Sequence, residues 1–374
     1  MGSNVLFATR AMFLCAGLSM AACASLFPLV KTSVGANDAV MGALLFCLGG
    51  GAMVAMPISG MLVARFGCRL VMVVSICLFS LALSLLPHAT SLAQAVALLL
   101  LFGAGLGATD CIMNIQGAMV EKEHQRNLMS GFHGFYSLGG IVGAGLMVGL
   151  LKIGLGPALS CLVITAFTLL MLVVFFKGLL PTASDEAEKT PLIAIPRGRV
   201  LIIGLICFCF FMAEGTVMDW SGVYLTEYHH MPLSLSAMGL FFFSITMTLG
   251  RMTGEWVIHT LGELRVLLMG GVSSSLGLVT VVMSDQFVVM MLGYAVIGLG
   301  CSNIVPIMFS AAGKQQDMPQ SLAIPAVSTL GYLGVLAGPA LVGQVSNVTS
   351  LPFALLSVVG LMIFATLLVF KVRV

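Results

Sequence analysis

Charged residues are scarce in this 374-residue sequence, in which Asp, Glu, Lys and Arg together make up 8% of the chain. A water-soluble domain carries roughly 25%, and a share this small could not cover the surface of one. Hydrophobic residues account for 59% of the chain, and the mean hydropathy is +1.12. These values exclude an ordinary soluble fold and predict a protein that crosses a membrane several times.

Several functional motifs are also missing from the sequence. No G-x-x-x-x-G-K-[ST] loop is present, so ATP cannot power this chain through such a site. The ten cysteines show no zinc-ligand spacing, and no nucleophile–base arrangement indicates an enzyme. The net charge of +2, without a long basic run, gives no sign of nucleic-acid binding. We therefore expect no cofactor, no metal ion and no nucleic-acid partner.

Twelve apolar segments are each long enough to cross a hydrocarbon core of about 30 Å. One long polar segment divides them into an N-terminal six-helix half over 1–180, a cytoplasmic linker over 181–199 and a C-terminal six-helix half over 200–374. The predicted fold class is therefore an all-α membrane protein with twelve transmembrane helices in two halves. The predicted helices cover 6–30, 38–64, 70–87, 92–119, 131–152, 157–179, 200–226, 234–258, 266–284, 287–312, 321–345 and 351–371.

The basic residues predict the orientation of the chain. With the N-terminus in the cytoplasm, thirteen of the sixteen Lys and Arg residues lie on the cytoplasmic side. Lys31 and Lys152 lie outside, and Arg251 lies within a helix. Both termini are therefore expected to face the cytoplasm.

Short segments of the first half recur in the second half in the same order. The matches are GLGATD (105–110) with GLGCSN (298–303), SLG (137–139) with TLG (329–331), and VMGALLF (40–46) with AMGLFFF (237–243). Their offsets of 193, 192 and 197 are nearly constant, which predicts two homologous halves. Six helices return the chain to its starting side, so the halves should be pseudo-symmetric about an axis along the membrane normal.

One segment carries a family resemblance. GMLVARFGCR (60–69) resembles the G-x-L-a-D-R-x-G-R-K loop of the major facilitator superfamily, with Ala64 where the family usually has Asp. GRMTGEWVIHTLG (250–262) is similar in frame, with His259 at the acidic position. The resemblance implies a monomeric secondary transporter in a lipid bilayer, with a cytoplasmic gate at the loop. The gate residues would be Gly60, Arg65, Gly67 and Arg69.

Further segments resemble a narrower bacterial branch of that superfamily. HGFYSLG (133–139), AEGTVMDW (213–220) and GRMTGEW (250–256) are similar to the YbjJ-like inner-membrane proteins. This resemblance implies a multi-pass protein of the bacterial inner (cell) membrane, and it implies little about the substrate.

Buried ionisable residues are the strongest functional signal, because they are costly at membrane depth and usually face a cavity or a partner. At a rise of about 1.5 Å per residue, Glu214 and Asp110 lie near the middle of their helices. Both are predicted to carry protons as their exposure alternates between the two sides. Asp219 and Trp220 lie further out and are predicted to line the outer mouth. For each residue, a static hydrogen-bond or ion-pair role is the alternative.

The same reasoning gives a set of substrate-binding candidates. Asn114 follows Asp110 by one helical turn, and the repeat at an offset of 193 pairs Asp110 with Asn303. The full predicted set is Asp110, Asn114, Tyr136, Glu214, Arg251, Asn303 and Tyr332.

These residues favour a small polar solute, such as a sugar or related metabolite, moved by alternating access and coupled to protons. A proton-driven exporter of drugs or amphipathic metabolites is an alternative, although GGIVGAG (139–145) lacks the proline of the superfamily's exporter signature. A non-transporting membrane sensor with the same fold is a further alternative.

Overall fold

A computed structural model describes residues 3–36, 38–181, 195–232, 235 and 237–372, and within these residues every regular element is helical. The principal helices are α1 (Ser3–Ser25), α2 (Phe27–Ser33), α3 (Asp38–Leu85), α4 (Leu92–His124), α5 (Met129–Lys152), α6 (Pro157–Phe175), α7 (Arg199–Val223), α8 (Met238–Met252), α9 (Gly254–Leu261), α10 (Glu263–Met283), α11 (Phe287–Cys301), α12 (Ile304–Lys314), α13 (Gln320–Val348) and α14 (Leu351–Leu368).

The predicted all-α membrane fold with twelve spans is confirmed. The described residues contain ten helical stretches long and apolar enough to cross a membrane. One of them, Val40–His88, contains two of the predicted spans, and α8 with α9 forms the shorter predicted eighth span. Most of the predicted linker, over 182–194, lies outside the described residues.

Three predicted spans are interrupted in the structure. The first span divides into α1 and α2, the eighth divides at Thr253, and the tenth divides between Cys301 and Ile304. The predicted loop between the second and third spans is instead a kink at Gly67 inside α3.

Two glycines make the tightest helix connections. Gly67 has φ 79° and ψ 160°, and Gly262, between α9 and α10, has φ 83° and ψ 151°. This backbone region is essentially restricted to glycine, because a Cβ would clash with the neighbouring peptide groups. A single residue therefore interrupts the helical conformation in each half, at positions that correspond to each other.

Replacing either glycine with alanine is expected to lower the free energy of unfolding by about 1–3 kcal/mol, because the substituted residue must adopt a strained backbone conformation. Thermal unfolding of purified protein would measure this loss. Gly149→Ala is the matched control, since Gly149 lies on the exposed side of α5 and nothing lies within 4 Å of an added Cβ. Equal stability of Gly67→Ala and Gly149→Ala would contradict the argument.

The chain forms two compact units. The first comprises 1–125, 135–194 and 319–325, and the second comprises 126–134, 195–318 and 326–374. The beginning of α5 is thus assigned to the second unit and the beginning of α13 to the first.

Glycine contacts hold the helices of the first unit close together. A Cβ on Gly103 of α4 would lie 1.9 Å from the carbonyl oxygen of Leu48 in α3. A Cβ on Gly139 of α5 would lie 2.1 Å from the carbonyl oxygen of Leu14 in α1. Such contacts are typical of membrane helices, whose association depends on close packing rather than on a hydrophobic driving force.

The corresponding helices of the second unit make equivalent glycine contacts. A Cβ on Gly298 of α11 would lie 2.2 Å from the carbonyl oxygen of Phe243 in α8. A Cβ on Gly334 of α13 would lie 2.2 Å from the carbonyl oxygen of Phe208 in α7. The two units therefore share one internal packing arrangement, as the repeat predicts.

These contacts also fix the register of the repeat. Each of the pairs Gly67–Gly262, Gly103–Gly298 and Gly139–Gly334 is separated by 195 positions. At this offset Asn303 corresponds to Ala108, so its predicted match with Asp110 is wrong by two residues. The error arises because α4 contains G-x-G-x-G at 103–107, and short glycine motifs align equally well when shifted by two.

Candidate functional site

A buried ion pair lies inside the second unit. Glu214 of α7 is 8% exposed and Arg251 of α8 is 7% exposed. The arginine Nη2 lies 3.4 Å from Glu214 Oε2. The other carboxylate oxygen, Oε1, is buried and has no hydrogen-bond partner in the described part of the chain. Each charge offsets the cost of burying the other, and one acceptor is left over.

The geometry of helices explains how these residues meet. From chain rise alone, Arg251 is expected in the inner third of the membrane and Glu214 near its middle. Helical side chains lean toward the N-terminus of their own helix, and α7 and α8 run in opposite directions in the predicted topology. The two side chains therefore approach each other along the membrane normal.

The interruption between α11 and α12 contributes a backbone acceptor to the pair. In a continuous helix the N–H of residue 306 would donate to the carbonyl oxygen of Ser302, but Pro306 has no N–H. Arg251 Nε donates to this carbonyl oxygen instead, at 3.4 Å. The proline lies in the first turn of α12, where a missing N–H is tolerated.

Asn303 occupies the same interruption and is 6% exposed. Its Nδ2 donates to the carbonyl oxygen of Gly250 at 3.1 Å and to Ser302 Oγ at 3.0 Å. Its Oδ1 has no hydrogen-bond donor within the described residues, and a Cβ on Gly254 would lie 2.1 Å from it. Glu214, Arg251, Ser302 and Asn303 thus form one polar cluster, which we call the α7–α8–α12 cluster.

The first unit presents a different arrangement at Asp110 of α4. This residue is partly exposed, and no hydrogen bond or ion pair to its carboxylate is found among the described residues. Asn114 is buried, and its Nδ2 donates to the backbone carbonyl oxygen of Asp110 at 2.9 Å rather than to the carboxylate. The structure therefore contains one acid with a countercharge and another without one.

The other sequence candidates differ in burial. Tyr136 of α5 and Tyr332 of α13 are half-buried, the first in the first unit and the second in the second. Asp219 is exposed, whereas Trp220 is half-buried with its Nε1 lacking a hydrogen-bond partner in the described chain. Glu214 and Asp219 thus differ in burial. A role for Asp219 and Trp220 at the outer mouth stays a prediction.

Sequence reasoning missed the backbone carbonyl of Ser302 and the close approach of Gly254 to Asn303. Pro306 was the available signal for the carbonyl, because its position identifies the peptide group that loses a donor. No sequence signal identified Glu214 and Arg251 as partners, since they are 37 positions apart on different helices.

A family model described as the Major Facilitator Superfamily matches residues 11–318. The chain belongs to the major facilitator superfamily. It is therefore a secondary transporter that crosses the membrane several times, and it is not an enzyme.

Similar proteins agree with this assignment. An uncharacterised MFS-type transporter of Yersinia pestis is 43% identical over 92% of this chain and 90% of its own length. The membrane protein MosC of Rhizobium meliloti is 30% identical over 92% of this chain and 84% of its own length. A crystal structure of the E. coli fucose:proton symporter FucP matches with a TM-score of 0.81 at 16% identity, covering 99% of both chains. This last match shows the shared fold alone.

The loop that resembles the superfamily gate is anchored within the first unit. Arg69 Nε donates to the carbonyl oxygen of Leu179 at 2.9 Å, and its guanidinium lies 5.1 Å from the Phe176 ring centroid. Arg65 is exposed. A Cβ on Gly60 would lie 2.3 Å from the carbonyl oxygen of Ser321, so the glycine permits close approach of the beginning of α13. The gate role of these residues stays a prediction.

Proposed function

We propose that this transporter moves a small polar solute, such as a sugar or a related metabolite, across the bacterial inner membrane by alternating access, and that protons drive it. Both termini would lie in the cytoplasm, and the monomer would be the working unit. The observation that carries the proposal is the contrast between two acids, Asp110 without a countercharge and Glu214 paired with Arg251.

This contrast supports different roles in proton coupling. An isolated charge is costly to bury, so proton uptake is the simplest way for Asp110 to reduce that cost when it is closed off from water. Glu214 already has a partner, and its proton uptake would release Arg251. A proton on Glu214 could therefore change which groups the arginine binds, which links protonation to the α7–α8–α12 cluster.

The polar atoms of that cluster support a solute with hydroxyl or amino groups. Glu214 Oε1 and Asn303 Oδ1 are buried acceptors without donors in the described residues, and unsatisfied buried acceptors are costly. A solute rich in hydrogen-bond donors would satisfy them, whereas an apolar drug would not. FucP is named as a fucose:proton symporter, but the low identity limits that likeness to the fold, so the proposal rests on the residues.

A thermal-shift screen of the purified protein tests the substrate class. The library would contain sugars, polyols, amino sugars and amino acids alongside cationic amphipaths of similar mass. A ligand at about 100 times its Kd stabilises the folded state by about 2.7 kcal/mol, so a polar solute that binds should raise the unfolding temperature clearly. A hit would then be assayed for uptake into proteoliposomes under an imposed pH gradient.

The screen has outcomes that would contradict the proposal. Stabilisation by amphipaths alone would favour a drug exporter. Binding of a polar solute without any uptake, with or without a pH gradient, would favour a membrane sensor of the same fold.

A further inference from the structure

A second polar site lies in the same unit, away from the α7–α8–α12 cluster. A cavity of about 660 Å³ opens where α7, α10 and α12 end or begin, next to the glycine turn at Gly262. None of the residues that line it belongs to the α7–α8–α12 cluster. The cavity is thus a separate feature of the second unit.

Positive charge dominates the lining of this cavity. Arg199 of α7, Arg265 of α10 and Lys314 of α12 contribute three cations, and Glu263 contributes one carboxylate. Arg199 and Lys314 are well hydrated, with side chains 40% and 47% exposed. A soluble ion or a headgroup could therefore reach them.

The nearby acids do not neutralise all three cations. Glu263 Oε1 lies 2.9 Å from Lys314 Nζ. Asp317, beside the cavity, lies 3.6 Å from Arg199 Nε and also accepts the backbone N–H of Arg199 at 2.7 Å, which caps α7. Arg265 has no ion pair or hydrogen bond within the described chain. The surplus is therefore about one positive charge, located on the arginine of α10.

The first unit provides a comparison for Arg265, because an arginine near its glycine turn does have partners. There Arg69 follows the corresponding glycine turn at Gly67, and backbone carbonyls and an aromatic ring hold its guanidinium. In the second unit Arg265 lies three residues after Gly262, one position beyond the counterpart of Arg69 at the offset of 195, and it is exposed and lines the cavity. The fold thus uses one arginine to fix a helix end and leaves the other available.

We propose that this cavity binds a phosphate-bearing anion. An arginine fork matches phosphate oxygens in a bidentate manner, and a lysine adds a point charge. Ile203, Ile258 and Leu264 also line the cavity, and these apolar side chains suit a phosphate ester with an apolar portion. A phospholipid headgroup and a soluble organic phosphate share this chemistry. Either would bridge α7, α10 and α12 at the end of the unit.

The test uses the full-length purified protein in two binding assays. In the first, thermal unfolding is followed during titration with glycerol 3-phosphate, against sodium chloride at the same ionic strength. In the second, native mass spectrometry measures retention of dioleoyl phosphatidylglycerol against dioleoyl phosphatidylcholine. Arg265→Gln is expected to weaken binding by at least about tenfold, as loss of a hydrogen bond to a charged group would. Arg197→Gln, which removes an exposed cation outside the cavity lining, is the matched control and should bind normally.

The two assays distinguish the sources of the ligand. Selective retention of phosphatidylglycerol that Arg265→Gln abolishes supports a lipid, and saturable stabilisation by glycerol 3-phosphate that it abolishes supports a soluble phosphate. Three results would overturn the proposal. They are equal binding by Arg265→Gln and the wild type in both assays, a loss of binding in Arg197→Gln as large as that in Arg265→Gln, or stabilisation by sodium chloride equal to that by glycerol 3-phosphate. Each concerns binding at this cavity, so none depends on the transported solute.

Discussion

Replacing Arg251 with Gln is expected to lower the free energy of unfolding by about 3 kcal/mol, one of the largest effects of any single substitution in this chain. Removing one member of a buried ion pair leaves the other charge uncompensated, which typically costs about 3–5 kcal/mol. We expect the lower end of that range because Arg251 contacts both Glu214 and the Ser302 carbonyl at 3.4 Å, longer than an ordinary hydrogen bond.

A double-mutant cycle in detergent separates the pair from its surroundings. Glu214→Gln together with Arg251→Gln removes both charges, so the double variant should be more stable than Arg251→Gln alone. Denaturant unfolding followed by tryptophan fluorescence would give the four free energies. Additive effects of the two substitutions on the free energy of unfolding would show that the side chains do not interact, and would exclude a stabilising ion pair between Glu214 and Arg251.

Replacing Asp110 with Asn is expected to abolish uptake driven by a pH gradient while leaving the protein folded. The substitution keeps the size of the side chain and removes only its ability to exchange a proton. Glu214→Gln is also expected to abolish driven uptake, but with a loss of stability, because it leaves Arg251 without its carboxylate. The two acids can therefore be distinguished: both variants lose coupling, and only the second loses stability.

Uptake of the solute from the thermal-shift screen into proteoliposomes provides the measurement. Asp285→Asn is the matched control, because it makes the same chemical change at an exposed acid outside the candidate site and should retain driven uptake. Retention of solute exchange without a gradient in Asp110→Asn would show that binding survives and that coupling alone is lost. Full pH-driven uptake by both Asp110→Asn and Glu214→Gln would exclude these acids as proton carriers.

The fold was largely predictable because it depends on chain-averaged properties. Apolar length locates a span whatever its neighbours are, so the twelve segments and the repeat followed from composition and pattern. The register of the repeat did not, because G-x-G-x-G at 103–107 aligns with Gly298 in more than one way. The helix contacts of Gly103, Gly139, Gly298 and Gly334 decided between these alignments.

The sequence predicted which charged residues are buried in the candidate site, but not which of them contact each other. The cost of burying charge singled out Asp110, Glu214 and Arg251, and each is at least partly buried. Sequence could not show that Glu214 has a partner while the carboxylate of Asp110 has none among the described residues, because that depends on helix direction and side-chain reach. The cavity beside Arg265 was missed for a similar reason: surface cations are common, and only packing shows which of them lack a carboxylate.

Because Pro306 has no N–H, the carbonyl oxygen of Ser302 accepts a hydrogen bond from Arg251 and not from the helix backbone. Pro306→Ala would restore an N–H that can donate to Ser302, and the tenth span could then run without interruption. The arginine would lose that acceptor to the repaired helix. A search for stabilising substitutions in this protein would therefore favour a change that removes an acceptor from the proposed site, a trade-off expected where stability and function compete.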